Sequence, residues 1–347
     1  MKKIKKGKSE KLNRGWKISV IAISVLNVVA IALLALAYIP AIGFSEFFIG
    51  TAYSTGSHQY YASFLYSDEH IITALQNMKI VEEETEVDLG DLVVSEEIPT
   101  SFESKSEQEV LQRKPGDVYK VVPISGSGWK GYMTVIYDPT RIGIGMAKNF
   151  KTHGQKVTEI GKRHNAMVAI NSTGFRNMGG KYAGSKPTGT VVQEGKIVSK
   201  RGRSAKWGGG IVGFTKEGKL ILTKKRAKQA IEELGVYNAV EFGPFLVVNG
   251  KPTKVSRGVG GINPRTFIGQ RADGIVLFFV IDGRQAHSAG IAFGGMISLL
   301  KKYNVVNAAN MDGGASSALA INGKLKSKPC GYTADGQRYI PVAWIVK

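Results

Sequence analysis

The residues with the greatest chemical potential stand together near the C-terminus, Asn310-Met311-Asp312-Gly313-Gly314-Ala315-Ser316-Ser317. A carboxylate follows an apolar run and precedes two glycines and two hydroxyls. The glycines permit a sharp turn with exposed backbone N–H groups. The carboxylate can take a proton or attack an electrophile, and the serines can donate and accept hydrogen bonds. A hairpin turn between two strands carries the same local pattern, so the rest of the chain has to decide between the two.

Two other positions repeat the arrangement. Asn171 ends the apolar run 167–170 and Asp282 ends the run 275–281, as Asp312 ends 305–311. Side chains at the ends of core strands are held rigidly, and the loops beyond them shape clefts. Strands running the same way in one sheet would bring the three residues to one edge.

The elements that must position them follow from periodicity. Strands are expected at 118–125, 132–138, 167–170, 190–192, 210–214, 220–222, 236–242, 245–248, 275–281 and 305–311. Helical spacing marks 155–165, 224–234 and a segment with Phe293, Met296, Ile297 and Leu300 on one face. Asn249-Gly250 predicts a hairpin turn. The seven apolar residues 275–281 suit a strand buried on both faces. The expected fold class is α+β, a mixed β-sheet with packed helices in one domain, 118–347.

The N-terminal third reads differently. Residues 1–17 carry eight Lys/Arg and one Glu, a basic tail. Residues 18–39 carry no charge. At 1.5 Å per residue such a helix spans about 33 Å, enough for a hydrocarbon core of about 30 Å. The segment 18–44 is therefore read as a transmembrane signal anchor, with the basic flank placing the N-terminus in the cytoplasm and the C-terminal domain outside. A signal peptide cleaved at Ala35-Leu36-Ala37 is the alternative. Residues 45–117 read as an extracytoplasmic stalk with a short helix at 70–78, because the later part is acidic and poor in aromatics.

The net charge of +20 is concentrated in 118–347, with thirty-five basic and eleven acidic residues. A field of that sign gathers anionic partners. Nucleic acid is one candidate and a phosphate-containing glycan or glycopolymer another; Lys and Arg are scattered rather than clustered with aromatics, and no nucleic-acid motif accompanies them. The single Cys330 excludes an internal disulfide and a multi-cysteine zinc site.

Four stretches, in order, resemble the phosphodiester glycosidase family. They are Ala169-Ile170-Asn171 with Pro187-Thr188-Gly189 and Glu194-Gly195-Lys196, and then Gly243-Pro244-Phe245-Leu246 with Asn249-Gly250-Lys251. Next come Asn263-Pro264-Arg265-Thr266 with Gly269, Ile281-Asp282-Gly283-Arg284 and Ser288-Ala289-Gly290, and finally 310–317. The resemblance covers about 119–347. The chain departs from the family pattern at Ser172 and Ala315, where glycine is usual, and at Lys326-Ser327-Lys328-Pro329.

The resemblance implies cleavage of a sugar from a phosphodiester at the anomeric carbon. The leaving phosphate monoester departs as an anion, so the site needs charge stabilisation and a carboxylate to activate water or attack the oxocarbenium-like centre. Asp312 or Asp282 is the expected base or nucleophile, with Glu241 beside Gly243-Pro244 as third choice. Arg265 and Arg284 would bind phosphate, since bidentate donors suit its oxygens. Gly313, Gly314, Ser316, Ser317 and Ser288 would contact substrate, and Asn171 would hold a sugar hydroxyl. His287 could shuttle a proton, but a loop histidine without a role is the plainer reading, and Lys206-Trp207 could stack on a sugar ring, with a core tryptophan the plainer reading. No cofactor is implied with certainty. Asp282 and Asp312 could share a divalent cation with backbone carbonyls, though no complete calcium loop is present. A non-catalytic receptor for anionic envelope glycopolymer is the competing reading.

Overall fold

The structure, a computed structural model, describes residues 2–39, 43–55, 58–82, 86–88, 90, 98–177, 183–200 and 208–347. Lys206-Trp207 lies outside them. The centre is a seven-stranded antiparallel sheet. Its spatial order is Lys251–Pro252, Phe245–Val248, Val305–Asn310, Arg265–Arg271, Val276–Ile281, Trp129–Ile136 and Tyr119–Gly126. Alternation along one strand shows how it is used. Leu277, Phe279 and Ile281 enter one core cluster, while Val276, Phe278 and Val280 enter another. Both faces of the 275–281 run are thus buried, as its unbroken apolar character requires.

On the first face lie the helix Phe293–Lys302, with Phe293, Met296, Leu299 and Leu300 buried, and the N-terminal helices described below. On the second face the sheet packs against two five-stranded sheets. One runs Leu220–Thr223, Gly210–Phe214, Asn238–Phe242, Val191–Gln193, Lys196–Ser199. The other runs Lys324–Leu325, Leu319–Ile321, Val168–Asn171, Val342–Val346, Ile142–Met146. Trp344, fully buried, meets Phe214 edge-on at 5.4 Å, joining these two sheets in the shared core. The fold is α+β, as expected. The Asn249-Gly250 turn has φ of 49° and 76° and joins Phe245–Val248 to Lys251–Pro252, the two positive values a tight hairpin turn needs.

Two expectations change. The strand ending at Asn171 belongs to a different sheet from those ending at Asp282 and Asp312. The Asp312-Gly313-Gly314 turn is also not a hairpin. It leaves the central sheet, passes through a short 3-10 turn at Gly314–Ser316 and enters the second five-stranded sheet at Leu319.

The segment 45–117 is not a simple stalk. Helices Phe44–Tyr53, Tyr60–Leu65 and Asp68–Asn77 place Ile49, Ala52, Ala62, Ile71 and Ala74 in the same cluster as Met133, Phe267 and Phe279. Val110 from the helix Lys105–Leu111 joins them, fully buried. The acidic composition of the later part masked apolar residues at helical spacing ahead of it, and those residues cover a sheet face that would otherwise meet water. The acidic part is also engaged. Ile80–Val81 pairs with Lys254–Val255. Glu82 accepts a hydrogen bond from Phe245 N at 2.7 Å and pairs with Lys224 at 3.4 Å, and Glu86 pairs with Lys225 at 3.2 Å.

The long helix Lys2–Tyr38 contains one stretch, Gly15–Ala35, long and apolar enough by length and composition to cross a membrane, with a mean hydropathy of 2.7 and none of it buried in the protein.

Candidate active site

Strand register creates the site. Arg265 pairs with Ile281 and Phe267 with Asn310, so Arg265–Arg271 lies between the other two strands and antiparallel to both. The strands ending at Asp282 and at Asp312 therefore run the same way and finish at one edge. Arg265 begins the strand between them. Cross-links fix the edge: Met311 N donates to Thr266 O at 2.8 Å, and Gly314 N donates to Pro264 O at 2.8 Å.

Asn171 arrives from the other sheet. Asp312 N donates to Ser172 O at 2.8 Å. Asn171 Nδ2 donates to Asp312 O at 2.5 Å, while its Oδ1 accepts from Thr266 Oγ1 at 2.7 Å and Ala318 N at 3.1 Å. Asn171 is 1% exposed. Its amide clamps the turn, a different task from the sugar contact expected of it.

Asp312 is half-buried. Burial pushes its carboxyl above the usual range, and the Ser316 hydroxyl, the Arg338 charge and the Gly313 N–H partly offset that. Arg338 was not anticipated from the sequence. It stands in an irregular loop, 26 residues past Asp312, where no periodic pattern points to it. In the fold its Nη1 donates to Ser316 Oγ at 3.4 Å and its guanidinium covers the Phe175 ring at 4.6 Å. Ser317 is buried, and its Oγ has no hydrogen-bond partner among the described residues.

Asp282 is 5% exposed and more fully occupied. Its Oδ1 accepts from Lys328 N at 2.9 Å and its Oδ2 meets His287 Nε2 at 3.2 Å. Burial raises its carboxyl, and these contacts oppose the rise. Ser288, 1% exposed, donates to Asp282 O at 2.6 Å and accepts from Lys130 N at 3.0 Å. Its hydroxyl anchors the Asp282 loop, so the expected substrate contact gives way to a holding role.

Both arginines lie beside the glycine turn. A Cβ at Gly313 would stand 3.7 Å from Arg265 Cδ, and one at Gly314 would stand 3.3 Å from Arg284 Nη2. Gly314 has φ of +61°, so its conformation also favours glycine. Arg284 is aimed by Asn263, whose Oδ1 accepts from its Nε at 3.1 Å and its Nη2 at 2.7 Å. Asn263 Nδ2 in turn donates to Ser54 Oγ at 2.8 Å, so the N-terminal helical layer braces the site. Arg265 is 8% exposed, donates through Nη2 to Gly260 O and Gly261 O at 2.5 and 3.0 Å, and covers Phe293 at 4.4 Å. Burial, with Arg284 nearby, pushes it down to about 10. Among the described residues, neither arginine has a carboxylate within ion-pair distance.

Glu241 is a correction. Its Oε2 accepts from Thr190 N at 3.0 Å, and its side chain lines a separate cavity of about 780 Å³ with Lys200, Lys224, Lys225, Arg226 and Lys228. None of the described lining residues comes from the Asp312 turn. Among the described residues, no three His, Cys, Asp or Glu side chains group to hold a metal ion.

The family model described as phosphodiester glycosidase matches residues 164–347, more than half of the chain. The chain belongs to the phosphodiester glycosidase family. It is 30% identical over 179 residues to the SPbeta prophage-derived uncharacterized protein YomE of Bacillus subtilis, covering 50% of this chain and 27% of YomE. It is 29% identical over 201 residues to the human N-acetylglucosamine-1-phosphodiester alpha-N-acetylglucosaminidase, covering 53% of this chain and 38% of that protein. The matches thus span well under half the length of these relatives. In fold it is similar to the auto-inhibited catalytic domain of the zebrafish enzyme of the same name, with a TM-score of 0.54 at 22% identity over 69% of this chain and 86% of that one.

The family's departures at two positions have local explanations. Ser172 is fully buried and its Oγ donates to Val342 O at 2.9 Å. Ala315 is absent from the positive-φ residues, so a Cβ there meets no backbone penalty.

Proposed function

We propose that this phosphodiester glycosidase is a membrane-anchored, extracytoplasmic hydrolase of sugar-1-phosphodiester bonds in envelope glycopolymer or exopolysaccharide. The observation that carries the reading is the arginine pair. Arg265 and Arg284 lie beside the Asp312 turn without a carboxylate counterion among the described residues. Two guanidiniums so placed call for an anionic ligand, and a phosphate answers their donor geometry. Arg265 already spends its Nη2 on backbone carbonyls, so Arg284 is the main phosphate ligand and Arg265 adds charge behind it.

Asp312 is the base or nucleophile. Unlike Asp282, its carboxyl is not tied to both a loop N–H and a histidine. As base it takes a proton from water while the water oxygen bonds to the anomeric carbon. The bond from that carbon to the phosphate oxygen breaks, and the phosphate monoester leaves as an anion beside Arg284. Ser317 Oγ is buried and has no hydrogen-bond partner among the described residues. The basic N-terminal flank and the apolar stretch Gly15–Ala35 support an anchor with its N-terminus in the cytoplasm. The test is sugar release from a sugar-1-phosphodiester by the full chain in detergent, wild type against Asp312→Asn. Full activity in the variant removes Asp312 from the mechanism.

The receptor reading draws on the lysine-lined cavity beside Glu241. It requires binding of anionic glycopolymer that weakens steeply with salt and no turnover of any sugar phosphodiester.

A further inference from the structure

Residues 38–66 hold nine Phe and Tyr and one Asp, Glu, Lys or Arg, which is Glu46. Part of this aromatic set is buried against the central sheet, as Tyr66 is at 3% exposure. Phe48 and Tyr53 pack, partly buried, on the same cluster, while Tyr38, Phe44, Tyr60, Tyr61 and Phe64 face outward. Beyond the long N-terminal helix, nine large hydrophobic side chains are exposed among the described residues, and six of them fall between 39 and 72. Phe64 is the extreme, at 88% exposure, with Tyr60 at 60% and Tyr61 at 49% on the same short helix. A water-facing surface of this composition is costly unless something apolar covers it.

The end of the long helix meets this same short helix. Tyr38 Oη donates to Leu65 O, next to Phe64. The Tyr38 ring lies 5.5 Å from Tyr66, which lies 6.1 Å from Phe48, which stacks on the half-exposed Phe44 at 5.8 Å. The five residues 39–43 let Tyr38 and Phe44 lie at most about 22 Å apart even when extended. A helix that crosses a bilayer and ends at Tyr38 therefore holds this surface at headgroup depth. Aromatic rings with an apolar body and a polar tip favour that layer, and an uncharged apolar face beside it gains by burial there.

We infer that Phe44, Tyr60, Tyr61 and Phe64 form a foot that beds in the outer interface of the bilayer crossed by the N-terminal helix. The inference rests on the membrane-anchor reading of that helix. It fixes the catalytic domain on the membrane surface and leaves no free stalk between them. Through Ser54, on the end of the helix Phe44–Tyr53, the foot connects to Asn263 and so to Arg284.

The test places the photoreactive residue p-benzoylphenylalanine singly at Val25, Tyr60, Phe64 or Tyr332 in the full chain. Each protein is reconstituted in vesicles of phosphatidylethanolamine and phosphatidylglycerol, irradiated and analysed by mass spectrometry. Tyr332, 37% exposed, is the control outside the foot, and Val25 reports on the span itself. Lipid adducts at 25, 60 and 64 with none at 332 are expected. Adducts at 25 without any at 60 or 64 overturn the foot and leave the anchor standing. No adduct at 25 overturns both. Protein–protein crosslinks at 64 in place of lipid adducts overturn the foot in favour of a second chain, and labelling at 332 equal to that at 64 overturns it as a specific contact.

Discussion

Asn171 Nδ2 donates to the carbonyl of Asp312 at 2.5 Å, joining residues 141 apart in sequence and from two different sheets. With its Oδ1 accepting from Thr266 and Ala318, one amide holds the reactive turn against both sheets. Asn171→Ala strands three buried polar partners, and each lost bond of this kind costs about 1–3 kcal/mol. The expected result is a clear drop in stability by urea unfolding together with reduced activity. A variant with wild-type stability would show that the clamp is unimportant.

Asp312→Asn keeps the size of the side chain and removes its ability to act as base or nucleophile. Loss of a positioned base lowers turnover by about 100-fold or more. The turnover number for sugar release should fall by this order while the thermal midpoint stays near that of wild type. Asp282→Asn should instead disturb the loop held through Lys328 N and His287, and should be read first in stability.

Burial holds the Asp312 carboxyl above the ordinary carboxylate range, and the Arg338 charge pulls it back down. The reactive form is the carboxylate. Activity is therefore lost as pH falls through a value higher than that of a free aspartate. Arg338→Met removes the opposing charge, so the acid limb of the pH–rate profile should move to higher pH. Arg338→Lys should restore part of the original position. An acid limb that stays in place in Arg338→Met would separate this arginine from Asp312 ionisation.

Arg284 owes its aim to Asn263. Charge-assisted hydrogen bonds contribute roughly 1.5–3 kcal/mol, so Arg284→Met should weaken competitive inhibition by inorganic phosphate or a sugar phosphate by about tenfold or more. Asn263→Ala should give a smaller loss in the same assay. Equal inhibition in all three proteins would place the phosphate elsewhere.

Ile49 is fully exposed to packing and not to solvent: it is 0% accessible within the core cluster of Phe267 and Phe279. Truncation of such a residue costs about 2–5 kcal/mol. Ile49→Ala should lower the urea midpoint of the whole domain, whereas a residue in a solvated stalk would leave it unchanged.

Much of the fold was legible because its strands carry their pattern openly. The run 275–281 announced a strand buried on both faces, and Gly210–Phe214 and Phe245–Val248 fall where short apolar runs and turn residues place them. The N-terminal layer was not legible. Its buried residues, Ile49, Ala52, Ala62, Ile71 and Ala74, lie on short helices ahead of the acidic stretch, and the linker composition of that later part was carried over to the whole of 45–117. Strands at Ile142–Met146, Arg265–Arg271 and Val342–Val346 escaped too. Glycine or polar residues break the apolar run in the first two, and the third is a short run next to the chain end.

The sequence by itself determined the chemistry on offer at the site: a carboxylate before two glycines, two arginines, and polar residues at the ends of apolar runs. These are matters of side-chain type and local spacing, which a linear pattern records. Only the tertiary structure decided which of them meet. Antiparallel pairing on both sides of Arg265–Arg271 aligns the ends at Asp282 and Asp312. Packing of a second sheet delivers Asn171, and a distant loop delivers Arg338. The same register turns Glu241 toward a different cavity. Strand order and sheet packing arise from contacts between residues far apart in the chain, so no window of sequence contains them.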